Sequence, residues 1–181
     1  MKYAPIDNKL FVKNRKKFAK AMKPNSMAIF NSNDIYPISA DSTLPFAQHR
    51  DIFYLSGVDQ EESVLVLFPD CPKEDHREIL FLTETSDLIA IWYGKKLNKE
   101  EAFETSGIKT VYWLQDMDKV LFEIMTQAEN VYINTNEHYR ANIETETRDA
   151  RFIKGLKNKY PAHTYLRSQP ILQRIRSIKE P

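Results

Sequence analysis

The residues of this chain that could act in catalysis or metal binding are its four histidines, one cysteine and scattered carboxylates. The histidines are His49, His76, His138 and His163. None of them falls in H-E-x-x-H or H-x-E spacing, so a zinc site would have to be assembled by the fold from distant segments. Cys71 is the only cysteine, which excludes an internal disulfide and a metal site built from thiolates of this chain alone. The adjacent acidic residues at 61–62 and 100–101 are more typical of solvated charges than of a general acid and base.

Glycine and serine patterns exclude two further classes of site. The four glycines are Gly57, Gly94, Gly107 and Gly155. They lie too far apart to form a G-x-G-x-x-G turn or a phosphate-binding P-loop, which excludes nucleotide enzymes of those kinds. The chain also lacks the G-x-S-x-G motif that presents a serine nucleophile. The sequence therefore contains no motif for catalysis.

Two segments combine side chains in a way that suits binding. Residues 39–51 form a long stretch of aromatic, acidic and basic residues without a regular pattern, and long loops in compact domains are often functional. The loop is explained equally well as an ordered connection between two elements, with Phe46 packed in the core. Residues 89–96 are predicted to be a strand that ends in Trp92, Tyr93 and two lysines, with one ring facing inward and the other outward. An exposed Trp92 would indicate a contact with a partner or ligand, and a buried one would indicate a core position.

The first half of the chain predicts a helix followed by an antiparallel meander of three or four strands. Asp7 is a suitable N-cap for the helix, which should end at residues 23–25. The predicted strands are residues 27–30, 52–55, 64–68, 79–82 and 88–93. Residues 31–50 are predicted to be irregular.

The second half predicts alternating helices and strands. Asn98 and Glu101 have the spacing of a capping box for a helix that ends at Gly107. Strands at 110–113 and 131–134, with a helix at 116–128 between them, read as a βαβ unit, which makes the sheet mixed. A helix at 144–158, a strand at 164–166 and a final helix opened by Pro170 complete the pattern.

Length and composition favour one folded domain. The 181 residues are 42% hydrophobic, with a formal net charge of +1. No segment has the apolar length of a signal peptide or membrane span, so the cytoplasm is the expected compartment. Residues 9–23 hold seven basic residues and no acid, and residues 148–179 hold nine with one acid. Solvated helix faces explain these stretches better than nucleic-acid binding does, although an acidic partner stays possible.

Several motifs together resemble the N-terminal domain of aminopeptidase P. Residues 40–42, 45–46 and 48–57 carry A-D-S, P-F and Q-H-R-D-I-F-Y-L-S-G, and residues 62–67 follow with E-S-V-L-V-L. I-W-Y-G-K-K-L comes later in the expected order, at residues 91–97. The final helix resembles the one that leads into that family's catalytic domain. The likeness spans nearly the whole chain, and its motifs are not catalytic signatures.

The resemblance implies a single three-layer α/β domain of creatinase N-terminal type. Its mixed sheet, of about six strands with a ribonuclease H-like motif, would be flanked by helices. The domain would span residues 1–175, and residues 176–181 would begin a linker to a separate C-terminal metallopeptidase domain. In this family that second domain holds two divalent metal ions, usually manganese, and removes the residue before proline from peptides. This chain alone is expected to bind no metal and to be inactive.

The resemblance also implies partners and site residues. Its partners would be its own catalytic domain, neighbouring subunits and proline-containing peptides, with no nucleic acid and no membrane. Trp92 would form a wall of the substrate pocket, and Asp41 would meet the ammonium group of the substrate. Three alternatives stay open: a metal-free peptide- or histone-binding module of the same architecture, a prolidase, and a free-standing domain with another role.

Overall fold

A computed structural model of the chain describes residues 6–141 and 145–178. Within them lie seven α-helices: α1 (Asn8–Ala21), α2 (Arg50–Ser56), α3 (Asp87–Tyr93), α4 (Lys99–Ser106), α5 (Met117–Met125), α6 (Arg148–Lys159) and α7 (Gln169–Ser177). The same residues form eight strands: β1 (Ser26–Asn31), β2 (Pro37–Ser39), β3 (Ser42–Thr43), β4 (Val64–Leu67), β5 (Glu78–Leu82), β6 (Thr110–Trp113), β7 (Asn130–Ile133) and β8 (Thr164–Arg167). Short 3-10 helices cover Glu74–His76 and Leu114–Asp116. The predicted helix start at residue 144 and residues 179–181 of the predicted linker lie outside the described residues, whereas residues 176–177 of that linker belong to α7.

Six of these strands form one mixed sheet, as predicted. Their order is β6-β5-β4-β1-β7-β8. Strand β4 is antiparallel to both β1 and β5, whereas the pairs β5–β6, β1–β7 and β7–β8 are parallel. Strands β1, β4 and β5 form an antiparallel meander, which the parallel pairs extend on both sides. Of the segments from which the meander was predicted, 64–68 and 79–82 are strands of it, whereas 52–55 and 88–93 are not strands.

Alternation along the central strands produces the three layers. In β1, Ala28 and Phe30 belong to one hydrophobic cluster, and Met27 and Ile29 belong to the other. Strands β4 and β5 divide their side chains in the same way, because successive side chains of a strand point to opposite faces. Core residues of α1, α2, α4 and α7 cover the first face, and those of α5 and α6 cover the second.

Helix α1 is tied to the rest of its layer by a buried arginine. Asp7 caps the helix by accepting a hydrogen bond from the backbone N–H of Lys9 at 2.9 Å. Arg15, which is 1% exposed, forms an ion pair with Glu78 of β5 at 2.9 Å. It also donates to the carbonyl oxygens of Leu55 and Ser106, each at 2.9 Å. One side chain therefore joins α1 to α2, α4 and the sheet.

Gly57 ends α2 in a conformation that a side chain would not tolerate. Its φ is +73°, in the left-handed region that favours glycine. A Cβ at this position would lie 2.2 Å from the ring of Phe11. The close packing of α1 on the end of α2 thus depends on this glycine.

Two predicted strands are helices. Residues 52–55 were predicted to be a strand because Ile, Phe and Tyr favour strands, but they form α2, which directs Ile52 and Leu55 into the core at helical spacing. Residues 88–93 were also predicted to be a strand and form α3. Ser86 caps this helix by accepting from the N–H of Ile89 at 3.3 Å. Tertiary packing overrides strand propensity in α2, and a serine cap that the prediction overlooked starts α3.

Two further expectations need correction. The strands of the predicted βαβ unit, β6 and β7, are not neighbours, because β5, β4 and β1 lie between them in the sheet. Residues 31–50, predicted to be irregular, contain the two-stranded hairpin β2–β3. The other predicted helices and strands are present within the described ranges, with shifted ends.

None of the helices in the described residues has the length and apolar content needed to span a membrane.

Candidate functional site

The order of the strands in the sheet changes direction between β1 and β7: the strands that follow β1 in the chain lie on one side, and the strand that follows β7 lies on the other. From β1 the chain passes through α2, on one face, to β4; from β7 it passes through α6, on the other face, to β8. Because β1 and β7 are parallel neighbours, their carboxyl ends open a crevice where the two connections separate. Such a topological switch point is the usual ligand position in open α/β sheets.

A cleft of about 720 Å³ lies at this point. Its wall includes residues that follow β1 and β7 and the first residues of α2, α6 and α7. The charged and polar side chains that line it include Asp34, His49, Arg50, Asp51, Arg140, Arg148, Asp149, Gln169 and Arg176. The cleft is therefore lined by both acidic and basic groups.

Asp51 is the centre of a buried polar network at the base of the cleft. The residue is 1% exposed, and its carboxylate accepts from Gln169 Nε2 at 2.6 Å and from Asn134 Nδ2 at 3.1 Å. Arg176 forms an ion pair with the other carboxylate oxygen. Ser168 Oγ donates to Asn134 Oδ1 at 2.6 Å. The network thus fastens α7 and the ends of β7 and β8 to the first turn of α2.

Asp149, in the first turn of α6, is the second carboxylate of the cleft. It accepts a hydrogen bond from Asn31 Nδ2 at 2.9 Å. Its pKa is raised from 3.8 to about 6, chiefly by burial and also by the nearby charge of Asp51, whereas Asn31, His49 and Arg148 act in the opposite direction. The negative charge of Asp149 is therefore only partly compensated within the fold.

Asp34 anchors α6 at the rim of the same cleft. Its carboxylate accepts from the backbone N–H of Arg148 at 2.8 Å and pairs with Arg151 at 2.5 Å. Because these contacts cross from the end of β1 to the start of α6, they fix the position of Asp149.

The described residues do not fit a metal centre. No group of three or more His, Cys, Asp or Glu side chains capable of holding a metal ion occurs within residues 6–141 and 145–178. The cleft contains His49, but this ring caps α2, because Nδ1 accepts from the N–H of Asp51 at 3.3 Å. The groups present can bind charged and polar ligands, and they supply no site for a metal.

A second distinctive surface is the outer side of α3. Leu88, Ile91, Trp92 and Tyr93 are 71%, 73%, 81% and 76% exposed, and no residue of this helix is buried. The prediction that one of the two rings faces inward is therefore wrong. Since residues three and four apart share a helix face, Leu88 lies beside Ile91 and Trp92. Contiguous exposed apolar surface of this kind marks interaction sites. We call these four side chains the α3 surface.

Polar contacts on its carboxyl side hold α3 in place. Gly94, at φ +78°, ends the helix, and Lys96 then forms an ion pair with Glu61. The backbone N–H of Leu97 donates to Gln60 Oε1 at 2.8 Å. The carbonyl oxygen of Gln60 accepts from Gln48 Nε2, also at 2.8 Å. The motif around Gln48 and the segment after α3 are thus joined through one residue.

Asp41 lies at the tip of the β2–β3 hairpin and is exposed. The preceding Ala40 has a φ of +50°, so the chain makes a tight turn there. Within the part of the chain that the structure describes, no hydrogen bond or ion pair joins Asp41 to another residue of the fold. The structure thus presents both Asp41 and Trp92 to solvent and brings neither of them into the cleft.

Sequence reasoning indicated one wall of the cleft, because residues 47–51 at the end of the segment 39–51 line it, but it did not indicate the residues on the other side. Asp51 and Asp149 are far apart in the chain and belong to no motif that carries a known chemistry. The available signal was weak: three polar residues of this region, Asn31, Asn134 and Ser168, end a strand or directly follow one. Once those strands are known to be parallel, their carboxyl ends must meet.

Comparisons with known proteins agree with one family. Residues 11–132 match the model described as aminopeptidase P, N-terminal domain. Xaa-Pro aminopeptidase of Escherichia coli K12 is 25% identical over 97% of this chain and 40% of that protein. Human Xaa-Pro aminopeptidase 3 is 24% identical over 83% of this chain and 29% of that protein.

Solved structures agree in fold. Zinc-substituted E. coli aminopeptidase P in complex with product has a TM-score of 0.75 and 25% identity, over 98% of this chain and 40% of that one. A Bacillus anthracis protein has a TM-score of 0.83 and 23% identity, over 97% of this chain and 41% of that one. The chain thus spans about 40% of the length of the E. coli relative. Because the family model covers more than half of its residues, the chain belongs to the aminopeptidase P N-terminal domain family.

Proposed function

We propose that this chain is the non-catalytic N-terminal domain of an Xaa-Pro aminopeptidase and that its α3 surface contributes to subunit contacts and to the substrate entrance. The observation that carries the proposal is the exposure of this surface, where four large apolar side chains in a seven-residue helix are each more than 70% exposed. Removing such side chains from water stabilises a complex by roughly 1.5–3 kcal/mol for each fully buried side chain. The α3 surface therefore suits contact with another protein surface.

Trp92 and Asp41 are the proposed substrate-contacting residues. The indole of Trp92 would form a wall of the entrance, with Leu88 beside it on the same face of α3. The carboxylate of Asp41 would attract the ammonium group of the peptide, since an exposed turn can bring it to another subunit or domain. Both assignments follow the family resemblance and are supported by the exposure of the two side chains.

The hydrolytic step is proposed to belong to a part of the protein outside this chain. The described residues hold no metal-binding group, so no step of the reaction is assigned to them. The metal ions expected for the complete enzyme, of which manganese is the prediction, would be bound elsewhere. The boundary near residue 175 and the cytoplasmic location stay predictions.

The experiment compares Trp92→Ala with a matched surface control in the full-length protein. Phe122→Ala is the control because Phe122 is also an exposed aromatic, 61% exposed, on α5. Hydrolysis of an Xaa-Pro peptide, metal content and circular dichroism are measured for each variant. The proposal expects kcat/KM to fall about tenfold or more for Trp92→Ala, with folding and bound metal retained, and to be unchanged for Phe122→Ala.

Asp41→Asn is the companion variant. It removes a charge with almost no change in volume, so KM should rise while kcat changes little. Asp118→Asn is the control, because Asp118 is also exposed and its only described partner is Lys159, 3.6 Å away at the surface. Wild-type kinetics in both Trp92→Ala and Asp41→Asn would refute the assigned roles. A folded full-length protein that binds peptides without cleaving them would favour the binding-module alternative.

A further inference from the structure

The cleft at the switch point is not used by the proposed function. Its volume, about 720 Å³, lies within the roughly 300–1,000 Å³ of typical small-molecule sites. The Asp51 network makes its base rigid, because three side chains from other elements hold one buried carboxylate. The cleft therefore has a preformed polar base.

One part of the cleft is suited to a cation. Asp149 is partly buried in the cleft wall, and in the described chain its carboxylate accepts a single hydrogen bond, from Asn31. Neither His49 nor Arg148 forms a hydrogen bond or ion pair with it in that part of the chain, although both are close enough to influence its charge. An ammonium group from a ligand would supply the missing counter-charge.

Another part is suited to an anion. Arg50, Arg140 and Arg148 line the cleft, and none of them pairs with a carboxylate in residues 6–141 and 145–178. Arg140 donates through Nε to the hydroxyl of Tyr139 at 2.9 Å, and its guanidinium carbon lies 5.1 Å from the centre of that ring. Its other N–H groups make no hydrogen bond to a carboxylate of the described residues. Guanidinium groups bind carboxylates through paired N–H donors.

We propose that the cleft binds a small zwitterion, an amino acid or a short peptide with free ends, whose ammonium group meets Asp149 and whose carboxylate meets the arginines led by Arg148. A mixed-charge site excludes ligands of a single charge, because each would leave one set of groups without a partner. The site is separate from the α3 surface and does not depend on the proposed function.

The test is a direct binding measurement on the full-length protein with metals removed by a chelator, so that turnover plays no part. Isothermal titration calorimetry is performed with L-alanine and with the dipeptide Ala-Ala, which distinguishes an amino-acid site from a peptide site. N-acetyl-Ala-Ala and Ala-Ala amide are the blocked probes. Loss of either charge is expected to weaken binding about tenfold or more, the size of effect typical of a charge-assisted contact.

Variants locate the site. Asp149→Asn should weaken the free dipeptide about tenfold or more and leave the affinity for the N-acetylated form unchanged. Arg148→Gln should also weaken binding of the free dipeptide about tenfold or more, but it should leave the affinity for Ala-Ala amide unchanged. Asp118→Asn serves as the control, and Trp92→Ala should bind like wild type. Absence of binding, equal binding of free and blocked dipeptides, or wild-type binding by both cleft variants would overturn the proposal.

Discussion

Replacing Asp149 by asparagine should stabilise the protein at neutral pH. The folded protein holds this carboxylate in the cleft wall with one hydrogen bond, from Asn31, and near the charge of Asp51. Burial is the main reason why its pKa is raised from 3.8 to about 6. The folded state therefore binds the Asp149 proton more tightly than the unfolded state does.

The sign and size of the effect follow from that difference. Well below pH 3.8 Asp149 is protonated in both states, so its ionisation does not affect the free energy of unfolding. Between pH 3.8 and about 6 the unfolded state loses its proton first, so the free energy of unfolding falls as pH rises and then levels off. At about 1.4 kcal/mol per pH unit, the change amounts to about 3 kcal/mol. Asparagine has no such titration, so its advantage over aspartate should grow by up to this amount.

The assay is urea unfolding of wild type and Asp149→Asn, each at pH 4 and pH 7.5. The difference between the two proteins isolates Asp149, because every other residue is the same in both. Asp118→Asn, at an exposed site, should show no pH-dependent gain. If Asp149→Asn is no more stable relative to wild type at pH 7.5 than at pH 4, Asp149 is not buried in its charged form and the description of the cleft wall is wrong.

Three further changes probe the fold and the α3 surface. Gly57→Ala should lower the free energy of unfolding by about 1–3 kcal/mol, because the new methyl group meets Phe11 and the backbone has positive φ; an unchanged urea midpoint would refute that packing. Arg15→Met should cost about 3–5 kcal/mol by leaving Glu78 and two carbonyl oxygens without their partner, which thermal unfolding would detect; a loss below 1 kcal/mol would contradict the network. Replacing Leu88 and Ile91 together by serine in the full-length protein should reduce its molar mass by light scattering at low concentration, whereas an unchanged mass would remove α3 from the subunit contact.

The sheet was predictable because the local and global patterns agree. Strands β1, β4 and β5 are short apolar runs buried on both faces, and the connection between β4 and β5 carries polar residues and proline. The capping box of Asn98 and Glu101 is present with both of its hydrogen bonds. These features depend on a few neighbouring residues and can be read from the chain alone.

The two misassigned helices show where such reading fails. Residues 52–55 have the composition of a strand, but Ile52 and Leu55 pack into the core at helical spacing, and His49 and Gly57 cap the two ends of the helix. Helix α3 is an exposed helix made of strand-favouring residues, so no buried face produced a helical pattern in the sequence.

The assembly of the cleft from separate segments could not be predicted from the sequence, for a different reason. Asp51, Asn134 and Asp149 come together only because β1 and β7 are adjacent and parallel, and strand order does not follow from periodicity. By contrast, the family motifs led to Asp41 and Trp92 directly. They indicated the segments that matter without showing that Trp92 lies on a helix.

The most direct test of the central claim is peptide cleavage by the full-length protein supplied with manganese. The substrates are Ala-Pro-Ala and Ala-Ala-Ala, and mass spectrometry follows the release of the first alanine. The account predicts release from the peptide with proline in the second position and little from the other. No release from either peptide with manganese, zinc or cobalt, or equal release from both, would contradict the assignment to an Xaa-Pro aminopeptidase.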